Sequence, residues 1–201
     1  MSNTNSILLC DSSPELFDSA IQSDGAKESV MDHIITWTLK QAVITEENKS
    51  SLLYQYSRRV LCRLLGLNEL SSSLYFSNVS TAMQVPIRGS KKKIDFICSA
   101  TCIDGDTTKE YWLLSEDKYY GGINNDLLSY RHYFESKLPQ NVISKCVLIT
   151  KMHSSDNKIE KYKTTCKSFG FEVFSLDKLV DIESKDTSSD IFNEFWLRLW
   201  G

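Results

Sequence analysis

Near the middle of the chain stand three residues whose types and spacing suit the hydrolysis of a phosphodiester. Asp95 lies in Lys93-Ile-Asp-Phe-Ile-Cys98, and Glu116 and Lys118 close the segment Tyr111-Trp-Leu-Leu-Ser-Glu-Asp-Lys118. Residues two apart in a strand share a face, so Glu116 and Lys118 project together. The polar stretch 103–109 between the segments predicts a hairpin that sets the Asp95 carboxylate beside that of Glu116. Two carboxylates, a carbonyl and waters make the oxygen cage that Mg²⁺ prefers. A metal held there polarises a phosphoryl oxygen and acidifies a bound water, while an adjacent ammonium orients that water or offsets developing charge. Any one of these residues alone reads as a surface charge at a strand end. The apolar neighbours Ile94, Phe96, Ile97, Leu113 and Leu114 make both strands buried, however, and charges inserted there need a reason.

The elements that must position this trio follow from periodicity. Val30, Ile34, Trp37 and Ala42 predict a helix over 27–43. Thr45 is an N-cap for a second helix whose stripe Leu52, Leu53, Tyr56, Val60, Leu61, Leu64 and Leu65 ends at Gly66. A β-type segment spans 74–88, and the hairpin strands follow. Gly121-Gly122 breaks the chain, Asn125 caps a helix over 127–138, and Pro139 stops it. The near-continuous apolar run 142–150 reads as a strand buried on both faces. A helix over 159–169, a short strand over 171–176 and an amphipathic helix over 189–200 complete the order α-α-β-β-β-α-β-α-β-α. This predicts an α/β fold with helices flanking a mixed sheet, a single domain over 27–201 preceded by a flexible leader over 1–26.

The arrangement of Asp95, then Glu116-Asp117-Lys118 on the next strand, then a helix and an apolar strand, resembles the PD-(D/E)xK restriction-endonuclease-like nuclease superfamily. The resemblance covers about 46–150 and implies an α-β-β-β-α-β core with extra helices. It implies that Asp95 and Glu116 bind Mg²⁺ or Mn²⁺ and that Lys118 assists the attacking water of an endonuclease or related hydrolase. Ile94 stands where the family often has Pro. Members resembling the RecB branch carry Gln-x-x-x-Tyr on the following helix, and here the stretch reads Asp126-Leu-Leu-Ser-Tyr130. Tyr130 matches and Asp126 does not, so Tyr130 either contacts the scissile phosphate or packs in the core with its hydroxyl satisfied. The family often adds a metal carboxylate from the helix before the sheet. Glu47, or Glu46, is the candidate, although acids at a helix start are favoured by the macrodipole in any case.

Composition narrows the alternatives. In 201 residues, 9 Phe, 9 Tyr and 4 Trp exclude wholesale disorder, and no apolar run approaches the roughly 20 residues that span a bilayer. The absence of a secretory pattern predicts an intracellular protein with reduced cysteines, and the six cysteines and three isolated histidines offer no zinc spacing. A net charge of −3 argues against a globally basic nucleic-acid coat, leaving local patches. Lys91-Lys-Lys93, Arg58, Arg59, Arg63, Arg131 and His132 are candidates for phosphate contact, and Tyr119 and Tyr120 for stacking bases or lining the cleft. Asp104 and Asp106 read as a hairpin turn, and Asp117, facing opposite to Glu116, as a pairing or solvent-facing residue. The partner expected is DNA or RNA, and cutting both strands of a duplex would favour a two-fold dimer. The reading from a different class is a catalytically inactive nuclease-fold module that binds nucleic acid or a protein.

Overall fold

A computed structural model describes residues 24–119, 126–181 and 185–199. Residues 1–23 of the expected leader, Tyr120, the Gly121-Gly122 break, Asn125 and Trp200 lie outside the described residues. The elements run α1 (Asp24–Gln41), α2 (Leu52–Leu65), β1 (Leu74–Pro86), β2 (Lys93–Asp104), β3 (Thr107–Lys118), α3 (Leu127–Glu135), β4 (Ile143–Thr150), α4 (Ile159–Ser168), β5 (Glu172–Ser175) and α5 (Asp190–Phe192), the last continuing as a π-helical turn, Asn193–Leu197. The five strands form one mixed sheet in the order β1-β2-β3-β4-β5. The first two pairings are antiparallel, and β3-β4 and β4-β5 are parallel.

Both faces of the sheet are covered. One core joins α1, α2 and the last helix through Ile35, Leu61, Phe96, Leu113, Phe192 and Trp196, and the other joins α3 and α4 through Leu114, Tyr130, Phe134, Leu148 and Cys166. Val147 and Ile149 of β4 belong to the first core and Leu148 to the second, which is why that strand reads as continuously apolar. Trp196 is fully buried, and its indole N–H donates to Thr38 Oγ1 at 2.8 Å, so it serves the domain's own core. Cys62, Cys98, Cys102, Cys146 and Cys166 are buried and free, in packing roles. Among the described residues no helix is long and apolar enough to cross a membrane.

Three local expectations are corrected. Thr45 does not cap α2: it exchanges bonds with Asn48 (2.8 and 3.2 Å) in a separate turn, and Ser51 caps the helix by accepting the Tyr54 N–H. Asp126 caps α3 by accepting the Ser129 N–H at 3.1 Å, a role open to a carboxylate and unrelated to the glutamine of the RecB-like pattern. The hairpin loop is tighter than 103–109, since Asp104 pairs with Thr107 across Gly105-Asp106 and Gly105 has φ +57°.

One irregularity in the sheet lies beside the site. Ile94 packs in the α3/α4 core and Phe96 in the α1/α2 core, although residues two apart in a regular strand share a face. The alternation therefore fails at Ile94, while Asp95 keeps the face of Ile97, and the β2-β3 ladder ends at Phe96–Ser115. By the β1-β2 register Asp95 lies opposite Gln84, whose φ is +51°. A non-glycine residue in the left-handed region is uncommon and clusters at functional sites.

Candidate active site

The β2-β3 register, carried one pair past Phe96–Ser115, sets Asp95 opposite Glu116 on the face that Ile97 and Leu114 share. Asp95 Oδ2 accepts the backbone N–H of Asp117 at 2.8 Å, and its carboxyl lies beside that of Glu116, close enough for each to shift the other. Lys118 Nζ lies 3.0 Å from Glu116 Oε1 and donates to the Asp117 carbonyl at 2.8 Å. Asp95, Glu116 and Lys118 are thus brought together as the hairpin geometry predicts. Glu116 is 1 % exposed and Lys118 8 %.

Burial, reinforced by the Asp95 charge, pushes the Glu116 carboxyl up to about 8, and burial likewise raises Asp95. Burial alone would favour a neutral amine at Lys118, yet the Glu116 and Asp95 carboxylates outweigh it and raise the lysine above its ordinary value. Lys118 is therefore an ammonium, and one ammonium does not satisfy two apposed carboxyls. That donor set fits a divalent cation, a hard ion that takes oxygen ligands. Among the described residues no three His, Cys, Asp or Glu side chains form a metal cage. Asp95 and Glu116 would then supply one or two protein carboxylates while waters and phosphate complete the shell, the usual arrangement for Mg²⁺.

Helix α1 contributes two acids that the sequence reading passed over. Glu28 Oε2 lies 3.7 Å from Lys118 Nζ, and Glu28 Oε1 accepts the Tyr119 N–H at 3.2 Å. Asp32, one turn on and 2 % exposed, lies beside the Asp117 carboxyl and accepts from the Gln84 amide at 3.2 Å. Burial, then the nearby Asp95 charge, carries Asp32 to about 7. Glu28, Asp32 and Thr36 stand at four-residue spacing on one row of α1, but Lys27, Ser29, His33 and Thr38 put polar residues around the rest of the helix as well, so the row gave no orientation. Asp117 is not solvent-facing. It is fully buried, accepts from Ser115 Oγ at 2.8 Å, and burial holds its carboxyl well above the usual range.

Other candidates divide. Tyr130 comes from α3, is 4 % exposed, and packs in the core; burial, then the Glu116 and Asp95 charges, raise its hydroxyl. Glu47 is exposed in the turn before α2, and Glu46 there pairs with Lys49, so neither is brought to the cluster. Arg58 donates to the carbonyls of Leu74, Glu69 and Ser71, while Arg63 pairs with Glu69 and Arg59 with Asp181 at 2.6 Å. These arginines tie α2 to its neighbouring loops. Arg131 pairs with Glu135 at 2.7 Å, whereas His132 and Lys91–Lys93 are exposed. Tyr119 is 5 % exposed and covered by lysines, which removes its face as a platform for bases.

No family model and no curated protein matches the chain. Among solved structures, a weak neighbour is the MspJI restriction endonuclease in complex with a 27-mer oligonucleotide, at 12 % identity and a TM-score of 0.27. The match covers 80 % of this chain and 33 % of that one, so the chain spans about a third of the neighbour's length.

Proposed function

We propose that this protein is a metal-dependent nuclease with a restriction-endonuclease-like core, hydrolysing phosphodiester bonds of nucleic acid. The observation that carries this reading is the apposed carboxyl pair of half-buried Asp95 and buried Glu116, with the Lys118 ammonium 3.0 Å from Glu116. Asp95 and Glu116 would hold Mg²⁺ or Mn²⁺. A divalent ion at such a site supplies charge that polarises the phosphoryl oxygen and acidifies a bound water. Lys118, fixed between Glu116 and Glu28, donates to the attacking water or to a non-bridging oxygen as negative charge grows. Its raised proton affinity suits a donor and electrostatic stabiliser, not a base. Tyr130, whose hydroxyl feels the Glu116 and Asp95 charges, would donate to phosphate.

The test is cleavage of labelled single- and double-stranded DNA and RNA with Mg²⁺, Mn²⁺ or EDTA. Wild-type protein should cut at least one substrate only with metal, and folded Asp95→Ala and Lys118→Ala variants should not. Binding without cutting under every condition would replace the nuclease with a binding module.

A further inference from the structure

We propose that Lys27 and Lys151, gathered on the ring of Tyr119, form a second phosphate subsite that receives a backbone phosphate neighbouring the scissile one. Its ligand class rests on the nuclease reading; its geometry does not. The Lys27 and Lys151 ammonium groups lie 4.7 and 4.8 Å from the Tyr119 ring centroid, and Lys151 Nζ donates to the Tyr119 hydroxyl at 2.9 Å. The ring attracts the Lys27 cation through its quadrupole, and its hydroxyl oxygen accepts from Lys151, so one side chain holds both ammonium groups. The ring is buried, and both lysines, half-buried, keep surface that solvent reaches. An anion is the natural complement of two ammonium groups.

The position ties the lysines to the reaction centre. Tyr119 directly follows Lys118, the Lys151 N–H bonds the Lys118 carbonyl at 3.2 Å, and Lys27 adjoins Glu28, which itself contacts Lys118 and the Tyr119 N–H. Three elements, α1, β3 and β4, thus converge at the carboxyl ends of the parallel strands β3 and β4, where open α/β sheets bind their ligands. A polynucleotide whose scissile phosphate meets Lys118 would carry its next phosphate to this pair.

The experiment is fluorescence anisotropy with labelled single-stranded DNA, duplex DNA and single-stranded RNA, in EDTA, across about 50 to 200 mM salt. The full chain is compared with Lys27→Gln/Lys151→Gln and Lys27→Arg/Lys151→Arg. The glutamine pair should weaken binding roughly tenfold at low salt and lower the salt slope by about 1, and the arginine pair should restore both. Should thermal unfolding show the glutamine pair to be misfolded, Lys27→Gln alone is expected to give the same change in part. Equal affinity and slope for wild type and glutamine variants on every probe would overturn the subsite, as would an arginine pair as weak as the glutamine pair. Cleavage is scored separately. Lysine-dependent binding without cutting keeps the subsite and removes the nuclease, and metal-dependent cutting with lysine-independent binding does the reverse.

Discussion

Strand β3 takes part in two carboxyl pairs, one on each of its faces, and they differ in what neutralises them. Toward α3, Glu116 meets Asp95 with Lys118 at 3.0 Å. Toward α1, Asp117 meets Asp32, and their hydrogen bonds come from neutral groups, the Ser115 hydroxyl at 2.8 Å and the Gln84 amide at 3.2 Å. The first pair stands beside a cation at the end of the strand and suits a metal. The second is closed between helix and sheet and suits a shared proton, which joins α1 to β3 behind the site. Burial raises the proton affinity on both faces, so a raised carboxyl does not by itself mark catalysis.

The largest expected difference is between Glu116→Gln and Asp117→Asn. Losing a metal carboxylate removes several kcal/mol of transition-state stabilisation, so Glu116→Gln or Asp95→Ala should lower the cleavage rate by about 10³-fold or more. Asn at 117 can still accept from Ser115 and donate to Asp32, and its backbone N–H still holds Asp95. Its rate should stay within about tenfold of wild type. Comparable losses from both substitutions would break the distinction between the faces.

Lys118→Ala should lower kcat by about 10²- to 10³-fold in a single-turnover assay, the scale of losing one preorganised donor. A variant within a few fold of wild type would make Lys118 a counter-ion only.

The pH dependence of stability reads the proton-sharing directly. Asp32 and Glu116, at about 7 and about 8, bind protons more tightly folded than unfolded, where ordinary values of 3.8 and 4.5 apply. Their stabilisation is full below the unfolded values and is lost as pH rises through the folded ones. Without metal, the melting temperature should fall between about pH 5 and 8.5, by roughly 2–4 °C for each kcal/mol lost. Asp117→Asn should lessen the fall, and Mg²⁺ should restore the melting temperature at the alkaline end. A flat or rising profile in EDTA would contradict the buried-pair reading.

The smallest effects concern side chains at the margin. Tyr130→Phe keeps the ring in the α3/α4 core and loses one hydroxyl donor, which should lower the cleavage rate about two- to tenfold. Glu47→Ala should change neither rate nor stability beyond about 0.5 kcal/mol, because Glu47 is exposed in its turn.

The element order and the convergence of Asp95, Glu116 and Lys118 were legible in the sequence because both follow from strand alternation and one short hairpin. Of the two readings of Asp117, pairing or solvent-facing, pairing holds: the face opposite a site is solvent only when nothing covers it, and here α1 brings Asp32 to it. Helix α1 buries Met31, Asp32, Ile35, Thr36, Thr38 and Leu39, so its apolar residues mark no single face and gave no orientation for Glu28 or Asp32. The family expectation of an acid from a helix before the sheet named Glu47, on the turn before the nearer helix. The structure brings Glu28, from the preceding helix, to Lys118. The arginines of α2 looked like phosphate ligands because a sequence shows a charge without showing the carbonyls and carboxylates that take it up.

The central claim is that Asp95 and Glu116 form a cation site and Asp32 and Asp117 do not. It is tested most directly by calorimetric titration of Mn²⁺ near neutral pH, in buffers of different ionisation enthalpy. The account predicts one Mn²⁺ per chain with release of the proton that the Asp95–Glu116 pair holds near neutral pH, abolished in Glu116→Gln and retained in Asp117→Asn. No binding by folded wild-type protein, or binding that survives in Glu116→Gln, would contradict it.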